Sequence, residues 1–159
     1  MIESSLNVHI RWMIRRDMPE VLAIESGGFA NPWTEEDFIR CHRQRNCVNM
    51  VAELGDETIA SYVVYELHKN KIHALNLAVR SDLRRQGIGR QMIEKLIGKL
   101  SQQRRNVITT EVRESNLDAQ LFLSANGFIA TEVLKDFWID TKEDAYAMQF
   151  RYGWEIGNG

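Results

Sequence analysis

The stretch Asn76-Leu77-Ala78-Val79-Arg80-Ser81-Asp82-Leu83-Arg84-Arg85-Gln86-Gly87-Ile88-Gly89-Arg90, running on into Gln91-Met92-Ile93-Glu94-Lys95-Leu96-Ile97, constrains the fold most. It reads as a buried strand, a turn rich in arginine and glycine, and an amphipathic helix. Gly87 and Gly89 fall where the helix begins, so backbone N–H groups are free there and no Cβ blocks a close approach. Such a helix start carries partial positive charge and suits a phosphate or pyrophosphate. Arg84, Arg85 and Arg90 add full charges beside it. The loop therefore reads as the holder of the phosphates of a nucleotide-bearing cofactor.

The helix after the loop carries Ile88, Met92, Ile93, Leu96, Ile97 and Leu100 at helical spacing. Gly98 sits within it at a modest propensity cost. Residues 106–112 then read as a strand, and strand–helix–strand favours parallel pairing through a right-handed crossover. Upstream, residues 8–15 roughly alternate and predict a first strand. Asp17 followed by Glu20 resembles a capping box, with Pro19 tolerated in the first turn of a short helix ended by Gly27-Gly28. In Asn31-Pro32-Trp33-Thr34-Glu35-Glu36-Asp37-Phe38, Thr34 suits an N-cap, Asp37 the third helical position, and Trp33 with Phe38 a hydrophobic staple.

Strand-like runs at 47–54, 58–66 and 72–80 are separated by Gly55-Asp56-Glu57 and His68-Lys69-Asn70-Lys71. Ser115 reads as the cap of a further helix, with Asp118 three residues on and Asn126-Gly127 as a left-handed stop. Strands at about 128–135 and 144–152 follow, joined by Asp136-Phe137-Trp138-Ile139-Asp140. The expectation is α+β: a mixed, mostly antiparallel twisted sheet of six to seven strands, a central βαβ unit and four helices.

The length of 159 residues predicts one domain over 1–159, with its core at about 8–152. A net charge of −2 offers no general attraction to nucleic acid or to an anionic membrane. No apolar run approaches a membrane span, and Met1-Ile2-Glu3-Ser4-Ser5 lacks the pattern of a signal peptide. Cys41 and Cys47 read as free thiols of a reducing cytoplasm, and the four histidines lack metal-ligand spacing, so no metal is expected. The loop is neither a P-loop, since no Lys-Ser/Thr follows its glycines, nor a dinucleotide-binding turn, since Met92 stands where the third glycine belongs.

Arg84-x-x-Gly87-x-Gly89 matches the R/Q-x-x-G-x-G/A signature of the GNAT N-acetyltransferases, and Leu77-Ala78-Val79 matches their preceding strand. The chain is similar in particular to the branch of that family that acetylates the N-terminal alanine of a ribosomal protein. That likeness rests on Asn31-Pro32-Trp33-Thr34, Asn76-Leu77-Ala78-Val79, Glu111-Val112-Arg113-x-Ser115-Asn116, Asn126-Gly127-Phe128 and Glu143-Asp144-Ala145, in collinear order over about 8–150. The resemblance implies the GNAT fold and acetyl-CoA as cosubstrate. Its pyrophosphate would lie on the loop formed by Arg84, Arg85, Gln86, Gly87, Ile88, Gly89 and Arg90. Its pantetheine arm would lie along Leu77, Ala78 and Val79, where a bulge splays the strand, with Asn116 approaching the arm.

Glu111 matches the position of the family's general base, and the Val79 N–H matches the donor to the developing oxyanion. An α-amine titrates near 7.7–8.0, so a base has a proton to remove at neutral pH. On the acceptor side the resemblance implies Trp33, Phe137 and Trp138; the last two read equally as aromatics covering the core. The chain departs from the family at Leu123, where a tyrosine would protonate the leaving thiolate. Tyr62, Tyr65 and Tyr146 are the tyrosines on neighbouring strands, and none is assigned the role. The implied activity is acetylation of a protein or peptide N-terminus, with the N-terminal alanine of a small-subunit ribosomal protein as the implied acceptor, in the cytoplasm. Acetylation of a small amine or a lysine side chain, and acetyl-CoA binding without catalysis, are the competing readings.

Overall fold

The computed structural model describes residues 6–29 and 31–156. Residues 1–5, where the sequence lacks a signal-peptide pattern, lie outside the described residues, as do Ala30 and residues 157–159. Strands β1 (His9–Trp12), β2 (Cys47–Glu53), β3 (Ile59–Leu67), β4 (Lys71–Val79), β5 (Val107–Arg113), β6 (Ile129–Trp138) and β7 (Glu143–Arg151) are interspersed with four helices. The helices are α1 (Met18–Gly28), α2 (Glu35–Arg43), α3 (Ile88–Ile97) and α4 (Leu117–Ala125). The fold is α+β with a seven-stranded mixed sheet in the order β1-β2-β3-β4-β5-β7-β6, in which β4 and β5 are parallel. The described residues divide into two compact units, those up to 67 with 74–95, and 68–73 with those from 96 onward.

In the first unit β1, β2 and β3 form an antiparallel meander, from His9 opposite Glu53 to Cys47 opposite Glu66. Val21 and Ile24 of α1 and Phe38 of α2 pack with Val51, Tyr62, Val64 and Ala78 in one buried cluster. The Thr34 capping box forms as the sequence predicts. The Thr34 hydroxyl accepts from the Asp37 N–H at 3.3 Å, and the Asp37 carboxylate accepts from the Thr34 N–H at 2.8 Å. The Trp33 and Phe38 rings meet edge to face at 5.1 Å, which closes the staple.

Asp17 behaves differently from its predicted role. It stands at the N-cap of α1 without a side-chain cap bond. Its carboxylate instead takes Arg11 at 2.8 and 2.9 Å and the Ile14 N–H at 2.8 Å. A guanidinium on β1 outbids the helix amides because it offers two charge-assisted bonds. That same pairing accompanies a first strand shorter than 8–15, since the chain turns away into a 3-10 turn at Arg15–Asp17.

In the second unit Lys71, Ile72 and His73 at the start of β4 run parallel to Val107, Ile108 and Thr109 of β5. β5, β7 and β6 continue antiparallel. Ile108, Leu123, Phe128, Met148 and Phe150 are buried. The predicted stop of α4 is present, with Gly127 at φ 90°. A Cβ there would come within 2.5 Å of the Glu155 carbonyl oxygen, so only glycine fits.

Three boundaries differ from the sequence reading. Gly98 lies just past the end of α3, whose last helical residue is Ile97. The cap of α4 is Asn116, whose side chain accepts from the Ala119 N–H at 3.1 Å. Ser115 is drawn off by Glu143, to which its hydroxyl donates at 2.6 Å. Strand β6 extends through Trp138, with an irregularity between Leu134 and Trp138, so Phe137 and Trp138 belong to a strand end rather than to a free loop.

Candidate active site

The phosphate-binding candidate is built by the turn between β4 and α3. After Val79 the Arg80 N–H returns to the Ala60 carbonyl at 2.8 Å, and a 3-10 turn covers Ser81–Leu83. Arg85 and Gly87 then adopt left-handed backbone, φ 63° and 78°. The first-turn N–H groups of α3, at Ile88, Gly89 and Arg90, begin where Gly87 accepts from the Gln91 N–H at 3.2 Å. Arg90 is engaged along the helix with Glu94 at 3.2 Å, and Arg80 with Asp82 at 2.7 Å. Arg84 and Arg85 form no ion pair among the described residues, which leaves their charges for an anion. A cavity of about 340 Å³ at the start of this turn is lined by Arg80, Ser81 and Arg84 and, from α1, by Glu20, Gly27 and Gly28. Donor amides with two uncommitted arginines form a set whose chemistry fits a pyrophosphate.

On the strand before the loop, Ala78 faces the core and its carbonyl accepts from the Ser61 hydroxyl at 2.8 Å. Leu77 and Val79 are half-buried. Ala78 therefore offers a ligand only backbone. Near this strand lies a hub the sequence reading missed. Glu25 of α1 is 1 % exposed and accepts from Asn76 at 2.7 Å, from the Trp33 N–H at 2.8 Å and from the Tyr62 hydroxyl. It ties the segment before α2 to β3 and β4. Trp33, an expected acceptor contact, gives its ring to Phe38 and its backbone N–H to Glu25.

The Tyr62 hydroxyl is committed to Glu25, and burial, with Glu25's charge, pushes its titration well above the ordinary range. Tyr65 is likewise pushed up by burial, to about 12. Leu123, in the other unit, is 7 % exposed and belongs to its buried interior. Burial also raises both thiols, Cys47 to about 12, so neither is a thiolate nucleophile near neutral pH.

In the second unit Glu111 projects from β5 with its side chain 20 % exposed. Its Oε1 meets His73 Nε2 at 2.9 Å, and His73 Nδ1 meets the Thr109 hydroxyl at 3.2 Å. The sequence separation of 38 residues hides this pair; the parallel register of His73 with Thr109 creates it. Asn116 uses its Oδ1 as the helix cap and so retains only its amide N–H groups for a ligand. The Trp138 ring lies under Arg113, 4.5 Å from its guanidinium carbon, and meets Phe137 edge to face at 4.8 Å. Phe137 itself remains 44 % exposed. Arg113 also bonds Thr141 at 2.9 Å and reaches Glu143 at 3.6 Å, which stiffens this end of the β6–β7 hairpin. Among the described residues no group of three or more His, Cys, Asp or Glu is placed to hold a metal ion. No helix among them is long and apolar enough to cross a membrane.

A mixed seven-stranded sheet with four helices, in which β4 runs through a glycine-bearing turn into α3, is an acyltransferase fold. The chain belongs to the acetyltransferase (GNAT) family, whose model matches residues 12–128, and it is an N-acetyltransferase. It is 28 % identical over 134 residues to the [ribosomal protein bS18]-alanine N-acetyltransferase of Escherichia coli strain K12, covering 83 % of this chain and 89 % of that protein. The crystal structure of the ribosomal-protein-S18-alanine N-acetyltransferase of E. coli superposes with a TM-score of 0.78 at 26 % identity, over 92 % of this chain and 94 % of that one. Ard1 of Thermoplasma volcanium shares the fold at a TM-score of 0.79 and 22 % identity, over 96 % of this chain and 99 % of that one. Members of the family use acetyl-CoA.

Proposed function

We propose that the chain transfers the acetyl group of acetyl-CoA to the N-terminal α-amine of a protein, with the N-terminal alanine of a small-subunit ribosomal protein as the preferred acceptor, in the cytoplasm. The observation that carries the reading is Glu111, a carboxylate held by a single side-chain donor at one oxygen and still partly open to solvent. The likeness to the E. coli enzyme named for ribosomal protein bS18 supports the acceptor.

The amides of Arg84 to Arg90, with the Arg84 and Arg85 side chains, receive the pyrophosphate. The backbone of Leu77, Ala78 and Val79 aligns the pantetheine arm, and the Asn116 amide approaches it. Bound in this way, acetyl-CoA supplies an acetyl group already activated as a thioester. Glu111 accepts the proton that the amine must lose, directly or through a water, and the Val79 N–H donates to the carbonyl oxygen as negative charge builds there. Trp33, Phe137 and Trp138 contact the acceptor peptide.

No protein group is assigned to protonate the departing sulfur. With a thiol pKa near 8.5 the thiolate is a tolerable leaving group, so turnover does not require one. Leu123, which has no proton to give where the family carries a tyrosine, motivates one alternative, an acetyl-CoA-binding module impaired in catalysis. Peptides beginning with Ala, Ser or Met, one carrying an internal lysine, and a small amine, each incubated with acetyl-CoA and analysed by mass spectrometry, separate the readings. Acetylation of the free N-terminus, lost in Glu111→Gln, is the expected result. Product only on lysine or on the small amine would replace the acceptor, and tight acetyl-CoA binding with no product would establish the impaired module.

A further inference from the structure

We propose that His73 is a positioning residue for the reaction: it holds Glu111 in the one orientation in which the carboxylate can take the acceptor's proton. The inference rests on the reading of Glu111 as the base. Three side chains form a line, Thr109 Oγ1 to His73 Nδ1 at 3.2 Å and His73 Nε2 to Glu111 Oε1 at 2.9 Å. The sheet places them without help from loops. His73 on β4 is in parallel register with Thr109 on β5, and Glu111 lies two residues further along β5, on the same face. His73 and Glu111 are mostly shielded, their side chains 17 % and 20 % exposed.

Chemistry settles the proton on the ring. An ionised carboxylate only accepts, so Nε2 must carry a hydrogen and donate to Oε1. Nδ1 of the neutral ring is then an acceptor, and the Thr109 hydroxyl is the donor that satisfies it. Thr109 thereby fixes both the tautomer and the plane of the imidazole. Glu111, a long side chain that would otherwise sample several rotamers, is tied through Oε1 to this rigid pair. No donor among the described residues reaches Oε2, which is left with its lone pairs for the incoming proton. Proton transfer requires heavy atoms within hydrogen-bond reach, so a carboxylate that wanders is a poorer base at unchanged chemistry.

Paired substitutions test this. A Gln amide nitrogen falls near the position of Nε2, whereas an Asn amide nitrogen falls near Nδ1, so His73→Gln keeps the donor to Glu111 and His73→Asn loses it. His73→Asn is expected to lower kcat about 10- to 100-fold with little change in the KM for acetyl-CoA, and His73→Gln to recover most of that loss. The double variant His73→Asn/Glu111→Gln should be no slower than Glu111→Gln alone, because His73 acts only through Glu111. Independently of turnover, 15N NMR of the wild-type protein should show the neutral His73 protonated on Nε2. The inference is overturned by the Nδ1–H tautomer, by additive effects in the double variant, by equal kcat for the Asn and Gln variants, or by a His73→Asn protein that loses thermal stability and keeps its kcat. If Glu111→Gln turns over at the wild-type rate, the base assignment itself falls; if Glu111→Gln is slow and His73→Asn is fast, only the role of His73 falls.

Discussion

Glu25 and Glu111 are both glutamates held by side chains of neighbouring elements, yet their surroundings put them to opposite uses. Glu25 is 1 % exposed, and donors from β3, from β4 and from the segment before α2 occupy both of its oxygens. Glu111 keeps about a fifth of its side-chain surface open and has one bonded oxygen. A carboxylate is acceptor-only, with room for about four hydrogen bonds. Where the fold takes up most of that capacity, the group fastens structure. Where the fold leaves it part-filled and in reach of solvent, the group can exchange a proton. The number of donors, more than the residue type, separates the two.

The same substitution at the two sites breaks the comparison most directly. Glu111→Gln keeps a carbonyl oxygen for His73 but removes the basic site. We expect kcat/KM to fall about 10²–10⁴-fold, with stability within about 0.5 kcal/mol of wild type. A steady-state assay beside a urea melt reads both, and an active variant would remove Glu111 from the chemistry. Glu25→Gln is expected to do the reverse. One oxygen of Glu25 receives Tyr62 and Asn76 and the other receives the Trp33 N–H, so an amide must turn its NH₂ toward at least one donor. The cost should be about 2–3 kcal/mol in urea unfolding, the penalty of buried donors left unmade. A Glu25→Gln protein as stable as wild type would show that the hub fastens nothing.

What the sequence revealed and what it hid divide by distance along the chain. The Thr34 capping box and the Trp33–Phe38 staple were readable because each closes within five residues, as did the Gly127 stop. The strand, turn and helix around Arg84 to Gly89 were readable for the same reason. Glu25 was not, because between Ile24 and Ser26 it looks like any helical glutamate until Trp33, Tyr62 and Asn76 converge on it. His73 was passed over for want of metal-ligand spacing, when its relation to Glu111 is set by strand register. Ser115 and Asn116 are adjacent cap formers, and sequence alone could not tell that Glu143, across a hairpin, would claim the serine. The assignment of Asp17 failed likewise, since its partner Arg11 belongs to the preceding strand and competes with the helix it precedes.

Asp17 is a third carboxylate, and it sharpens the comparison with the smallest expected effect. Its side chain is 4 % exposed, nearly as enclosed as Glu25, but its principal partner is a cation. Burial pulls its titration upward; the Arg11 guanidinium and the Ile14 N–H outweigh that and hold it below the ordinary carboxylate range. A group whose folded pKa is depressed stabilises fully above its unfolded value, near 3.9, and loses that contribution as pH falls through the folded value. Asp17→Asn should therefore cost about 1–2 kcal/mol at neutral pH, and the gap from wild type should close as the pH drops below about 4. Arg11 retains Glu53 at 3.0 Å in the variant, which limits the loss. Urea melts of both proteins between about pH 7 and pH 3 measure the gap. A gap that stays constant over that range would mean that Asp17 acts as a hydrogen-bond acceptor whatever its charge, placing it with Glu25 as a fastening group and removing the ion pair from the account of β1.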